Sequence, residues 1–281
     1  MHELRGMPVV NALSEKFVSD IADLSKKEII PKLTVVRVGE REDDLAYEKG
    51  ILKRFSTANA LAEVIALPLD VSQKKLEETI ILLNNDKNVH GILLLRPIPK
   101  HLSEDRIKTI IAEEKDVDGM GINNTAHVFA GNKNCIPPCT PQAVVELLDY
   151  YGIDVTGKTV TIVGRSLVVG KPLAMLLLSK NATITICHTK TINLAEQCKK
   201  ADILIACAGV AKMIKADFVN PEQIVIDVGI NMDNGKLCGD VDYDEVANIV
   251  KAITPVPGGV GTVTTSVLLK HMIKSIKKEA N

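Results

Sequence analysis

No stretch of this 281-residue sequence approaches the roughly 18 consecutive apolar residues that a membrane span needs. Net charge is equally scarce. Lys and Arg number 34 against 35 Asp and Glu, a formal −1, which removes the electrostatic case for nucleic acid or an anionic membrane as partner. The basic cluster in "KHMIKSIKKEAN" reads as the solvated face of a final helix. The opening "MHELRGMPVVNALSEKF" carries charges where a secretion signal needs its apolar centre. The six cysteines form no C-x-x-C pair and no dense disulfide pattern, so a reducing, cytoplasmic setting is expected. "CIPPC" (Cys135, Cys139) and "CH" (Cys187, His188) lack a second ligand pair at metal spacing, and no metal is expected there.

What the chain does contain is alternation. "KLTVVRVG", "AEVIALPLD" and "VHGILLL" read as strands in the first half; "KTVTIVG", "ATITICH", "ADILIACAG" and "QIVIDVGIN" follow in the second. Helix-period segments such as "SQKKLEETIILLNND" and "TPQAVVELLDYYG" separate them. Apolar strands spaced by helices predict an α/β protein whose parallel sheets are covered on both faces. The Pro- and Gly-dense "GNKNCIPPCTP" marks a domain junction, with Thr140 and Pro141 opening the next helix. The expected domains are residues 1–138 and 139–262, with a last helix over 263–281 packing back on the first.

"TVTIVGRSLVVGKPLAMLLL" reads as strand, glycine turn and helix. Gly164 ends the strand, Gly170 starts the helix and Pro172 suits the first turn. Bare backbone, free N–H groups and a helix dipole suit a diphosphate, although G-x-x-x-x-x-G is not the dinucleotide fingerprint and a plain tight turn has the same pattern. An NAD site usually ends its next strand with a carboxylate for the ribose 2′-hydroxyl. Here "ITICHTKT" offers Thr189 and Lys190 instead, and Arg165 stands in the first turn. That set favours a 2′-phosphate, hence NADP rather than NAD.

"VHGILLLRPIPKHL", "EKDVDG", "VGRSLVVGKP" and "PVPGGVG", supported by "PPCTP" and "IDVGIN", occur in that order. Together they resemble the methylenetetrahydrofolate dehydrogenase/cyclohydrolase family over essentially the whole chain. The resemblance implies an N-terminal α/β folate domain and a Rossmann-like NADP-binding domain with a cleft between them. It also implies a homodimer, a nicotinamide cofactor and 5,10-methylenetetrahydrofolate as substrate, in one-carbon metabolism. Asp118 corresponds to the folate-binding aspartate, a carboxylate suited to the adjacent N–H donors of the pterin's amino-pyrimidine edge. Tyr47 matches the tyrosine that packs on the folate rings. Pro257, Gly258, Gly259 and Gly261 should wall the pterin, their backbone free to approach a flat ligand. Gly164, Arg165, Ser166, Thr189, Lys190 and Ile230 fall at cofactor positions. Cys139 and His188 fall in cleft-lining motifs without a role as nucleophile or base.

Three positions depart from that pattern. Bifunctional relatives carry a lysine four residues after the tyrosine and a glutamine in the "VHG-x-x-x-Q-x-P" strand motif; here these are Ile51 and Leu95. The usual serine three residues before the tyrosine is Asp44. At about 100° per residue, Lys49 and Lys53 fall about 160° and 120° from Tyr47 around the helix. Arg54 returns to the Tyr47 face two turns along, but a guanidinium is a poor proton shuttle. Arg96 adjoins Leu95, and strand neighbours point to opposite faces. Oxidation needs alignment more than a titratable base, whereas hydrolysis of the methenyl product is acid–base work. The expectation is a dehydrogenase with weak or absent cyclohydrolase activity. The alternatives are a fully bifunctional enzyme forming 10-formyltetrahydrofolate and a catalytically silent nucleotide-binding scaffold.

Overall fold

The structure is a computed structural model and describes residues 2–279. Among these residues the chain forms two compact units, each assembled from separated stretches. The first comprises residues up to Asn11, Val128–Gly131 and Thr140–Thr264; the second comprises Ala12–His127, Asn132–Cys139 and the chain from Thr265 on. A short strand β1 (His2–Glu3) and a long helix α1 (Gly6–Ser25) begin the described chain.

The second unit is built on a three-stranded parallel sheet of β2 (Lys32–Val38), β3 (Leu61–Leu67) and β4 (Gly91–Leu94), in the order β3-β2-β4. Central β2 is β-branched and apolar, and every residue after Lys32 is buried, as a strand covered on both faces requires. Helix α2 (Glu42–Thr57) connects β2 to β3, with Glu42, Asp43 and Asp44 in its first turn and Arg54 in its last, matching the helix dipole. Helix α3 (Gln73–Asn85) starts at Ser72, whose side chain accepts the Lys75 N–H at 3.2 Å. It buries Leu76, Thr79, Ile80 and Leu83, one face at helical spacing. Leu76, Ile80 and Leu83 meet Val36, Ile92, Leu94 and Ile107 in one apolar cluster. Helices α4 (Glu104–Ile110) and α5 (Ile122–Phe129) follow.

Helix α6 (Cys139–Tyr150) begins one residue before the predicted Thr140. The first unit then alternates β5 (Thr159–Val163), α7 (Gly170–Leu178), β6 (Thr183–Cys187), α8 (Leu194–Lys199), β7 (Ile203–Ala206) and β8 (Ile224–Asp227). A hairpin of β9 (Asn231–Asp233) and β10 (Lys236–Cys238) turns at Asn234 and Gly235, both at positive φ. Helix α9 (Tyr243–Val246), strand β11 (Ala252–Ile253) and helix α10 (Val260–Glu279) complete the chain. The parallel sheet runs β1-β11-β8-β7-β5-β6. From β5 the chain moves outward to β6, then returns to the other side for β7 and β8. The crevice between β5 and β7 is therefore a topological switch point, where open α/β sheets bind ligands.

Strand β1 pairs with β11, so His2–Glu3 join the six-stranded sheet and the described residues up to Asn11 belong to the first unit, whereas the expected boundaries grouped them with residues 12–138. Two-residue strands carry no periodicity from which to read this. The last helix starts at Val260 rather than 263, and residues 280 and 281 of its expected span lie outside the described residues. No helix among the described residues is long and apolar enough to cross a membrane.

Candidate active site

In the first unit, the C-terminal ends of the parallel strands gather most of the residues singled out in the sequence. Val163 of β5 lies in register with Cys187 of β6 and Ala206 of β7, so the loops after all three strands open at one edge. Gly164 sits at φ +140°, and a Cβ there would overlap the Cys207 carbonyl across the switch point. A Cβ on Gly170 would in turn overlap the Gly164 carbonyl. The turn is closed backbone on backbone, a fit that only glycine permits at both places. Ser166 accepts the Val169 N–H at 3.1 Å, while Arg165 and Ser166 are exposed. The loop after β6 is braced internally: Thr191 Oγ1 accepts from the His188 N–H at 2.8 Å, and His188 Nδ1 accepts from the Lys190 N–H at 3.1 Å. Thr189 and Lys190 stay exposed.

Ile230 and the "PVPGGVG" segment come together in the same unit. They line one cavity of about 250 Å³ that includes Ile230, Pro257, Gly258, Gly259 and Gly261. Ile230 is 64% exposed, unusual for an isoleucine, and Gly258 has φ +106°. Two aspartates absent from the sequence reading hold this region. Asp240 accepts N–H bonds from Ala208 (2.5 Å), Gly209 (3.0 Å) and Val210 (2.9 Å), and from Asn231 Nδ2 at 2.9 Å. Asp227 accepts from Gly229, Asp240 and Val241, and burial pushes its carboxyl up to about 7. Together they fix the loops after β7 and β8. The signal was present in "IDVGIN", an aspartate ending an apolar strand.

The second unit holds two of the candidate folate residues, Tyr47 and Asp118. Tyr47 is half-buried on α2; Ile51, one turn on, is fully buried, and Leu95 is 5% exposed. Asp44 is also buried, and burial raises its carboxyl above the usual range despite Arg41. Lys49 and Lys53 are exposed. Arg54 is half-buried and burial lowers it; its Nε has no hydrogen-bond partner among the described residues. Helix α2 is tied to β2 by a buried ion pair, Arg37 Nε to Glu48 Oε2 at 2.8 Å, and Arg37 also donates to the Gly39 carbonyl. This pair, adjacent to Tyr47, fixes how the helix presents it.

The two aspartates of "KDVDG" do different work. Asp116 is buried, accepts from the Met120 and Gly121 N–H groups and from Asn124, and closes the turn; burial lifts its carboxyl to about 6. Asp118 remains 18% exposed. Its Oδ1 accepts the Cys139 N–H at 3.2 Å and its Oδ2 accepts Arg96 Nη2 at 2.6 Å. Strand β4 ends at Leu94, the Leu95 N–H still donates to the Val36 carbonyl at 2.9 Å, and Arg96 bonds Asp118. Behind them Cys139 Sγ and His271 Nδ1 both donate to the Val117 carbonyl, at 3.3 and 2.9 Å. Burial drives the Cys139 thiol well above its ordinary value and His271 down to about 4. Neither is poised for chemistry.

Residues 4–118 match the tetrahydrofolate dehydrogenase/cyclohydrolase catalytic domain, and residues 138–280 match the NAD(P)-binding domain of the same family. The bifunctional protein FolD of Clostridioides difficile is 52% identical over 99% of this chain and 97% of its own length. Among solved structures, the bifunctional FolD dehydrogenase/cyclohydrolase of Campylobacter jejuni has a TM-score of 0.96 at 38% identity, covering 99% of each chain. The Trypanosoma brucei dehydrogenase-cyclohydrolase, complexed with NADP and an inhibitor, has a TM-score of 0.93 at 32% identity, covering 99% of this chain and 97% of that one. With both domain models matched in order and near-complete coverage of these relatives, the chain belongs to the tetrahydrofolate dehydrogenase/cyclohydrolase family.

Proposed function

We propose that this protein oxidises 5,10-methylenetetrahydrofolate to 5,10-methenyltetrahydrofolate with NADP as acceptor, and hydrolyses the product weakly or not at all. The residues present fit the cofactor. Backbone-on-backbone closure at Gly164 and Gly170 leaves a side-chain-free cradle beside a helix N-terminus, suited to a diphosphate. Arg165, Thr189 and Lys190 are exposed on loops at the same sheet edge, and these three supply cationic and hydroxyl groups, not a carboxylate, for a ribose phosphate. When bound, NADP takes a hydride at its nicotinamide ring. This chain's task is alignment: Asp118 receives the N–H donors of the pterin edge and Tyr47 stacks on the rings. The hydride leaves the bridging methylene with its electron pair, and the folate nitrogens hold the resulting positive charge, so no protein base is required.

Ile51 and Leu95 carry the second half of the proposal. Hydrolysis adds water across the methenyl carbon and needs a group that takes up and returns protons. Two buried apolar side chains at the positions where bifunctional relatives have lysine and glutamine supply none. Full bifunctionality is the competing reading, favoured by the name of a relative at 52% identity. A homodimer, as the family resemblance implies, and a cytoplasmic setting, as the cysteine pattern suggests, belong to the same proposal. The test is a spectrophotometric assay that follows reduced cofactor, methenyl product and formyl product separately. Reduced cofactor and methenyl product should appear together, with formyl product no faster than in the spontaneous reaction.

A further inference from the structure

We propose that Arg96 is a positioning residue that holds the Asp118 carboxylate in one orientation and so sets how tightly the pterin edge is recognised. This rests on the reading of Asp118 as the folate-binding group. Carboxylate torsions are broad and roughly two-fold, so an aspartate on a short turn has no intrinsic reason to hold one plane. Here each oxygen is tied separately: Oδ1 to the Cys139 N–H at 3.2 Å and Oδ2 to Arg96 at 2.6 Å. Each oxygen keeps a second lone pair, so the plane is fixed while two acceptor sites remain for a pair of N–H donors.

The guanidinium is itself over-determined. Its Nη1 reaches Glu104 Oε1 at 3.3 Å, and Lys108 Nζ lies 3.1 Å from that same oxygen. Lys108, Glu104, Arg96 and Asp118 thus alternate in charge along the network, with the exposed Asp105 a further carboxylate on Lys108 at 3.0 Å. Arg96 keeps only 14% of its side chain exposed. Burial alone would lower it, but the Asp118 and Glu104 carboxylates outweigh burial and raise it above its ordinary value. A planar fork spanning two carboxylates is a task lysine cannot fully perform. Asp118 therefore meets its ligand already oriented and already neutralised. Recognition then depends on matching hydrogen-bond geometry more than on attraction between net charges, which favours a neutral amino-pyrimidine edge over a simple cation.

The experiment compares Arg96→Leu, Arg96→Lys, Asp118→Asn and the Arg96→Leu/Asp118→Asn double variant, each with NADP affinity and Tm as controls. Arg96→Leu should raise the KM for methylenetetrahydrofolate about ten- to hundredfold, the scale of one charge-assisted hydrogen bond. The kcat should change much less, because the pterin edge is remote from the reacting carbon. Arg96→Lys should recover part of the loss. In the Asp118→Asn background, Arg96→Leu should add less than about threefold, since coupled residues are non-additive. A substrate analogue lacking the 2-amino group should bind wild type and Arg96→Leu alike. Unchanged KM in Arg96→Leu, or losses that simply multiply in the double variant, overturns the inference. Normal folate kinetics in Asp118→Asn would instead remove Asp118 from the site, and with it the reading on which this one rests.

Discussion

Ile51→Lys should convert a silent position into a strained one before it makes a catalyst. Ile51 is 0% exposed and Leu95 only 5%, so the new amine would enter apolar surroundings. An ordinary lysine titrates near 10.4, and burial depresses it by several units; reaching about 7 costs about 4–5 kcal/mol at 1.36 kcal/mol per unit. Against a typical folding stability of about 5–15 kcal/mol this is severe. The sign of its pH dependence is fixed. Between the lowered folded value and 10.4 the unfolded chain binds more protons, so the Tm deficit of Ile51→Lys should shrink as pH rises from about 7 towards 10. Leu95→Gln supplies a carbonyl oxygen to accept from the amine, and the double variant should recover part of the stability and hydrolyse methenyltetrahydrofolate above background. General acid–base catalysis contributes about 10²–10⁴-fold, so even poor alignment is measurable. Asp44→Ser should raise the rate further, because an ionised carboxylate one turn before Tyr47 would hold the amine protonated. The assay is formyl product formed per mole of enzyme, with dehydrogenase activity as the folding control. Robust formyl production by the unmutated protein would refute the reasoning outright, and a folded, oxidation-competent double variant without hydrolysis would show that more than these two groups is missing.

Arg165→Ala should weaken NADP about ten- to hundredfold and leave NAD use nearly unchanged; equal losses would place Arg165 on a part shared by both. Gly164→Ala should lower Tm and raise the KM for NADP, because the added methyl overlaps the Cys207 carbonyl and cannot be relieved by a rotamer change; a normal Tm would mean the turn can open. His271 titrates near 4 in the fold against about 6.5 unfolded, so its contribution to stability is intact above pH 6.5 and drains as pH falls towards 4, by up to roughly 3 kcal/mol. Against His271→Gln, wild-type Tm should therefore fall more steeply over that range, and parallel curves would contradict the burial argument.

The major strands and the glycine turn were legible because each is a local pattern: β-branched runs such as β2 and β5, and Gly164 closing one of them. Asp118, Tyr47 and the Pro257–Gly261 segment are proposed as site residues only as members of an ordered set of motifs, with no local pattern that singles them out. What escaped was long-range pairing. The Arg96–Asp118 bond joins residues 22 apart, and the Asp240 bonds to residues 208–210 join residues 30 to 32 apart. Strand alternation speaks only to how Arg96 stands against Leu95, and its bond to Asp118 has no local signal. Strands β1 and β11, two residues each, have no period to detect.

The pairing of those two short strands also bears on how the protein is made. His2 aligns with Ala252 and Glu3 with Ile253, partners separated by 250 positions. A ribosome releases the first partner long before the second exists, and the entropy of closing so long a loop rises only slowly with its length. The outermost row of the six-stranded sheet must therefore wait on late synthesis, with β11 displaying an open edge until β1 returns to cover it. Bulky fusions placed next to His2 should delay that closure and lower soluble yield while leaving the earlier, locally connected three-stranded sheet able to form.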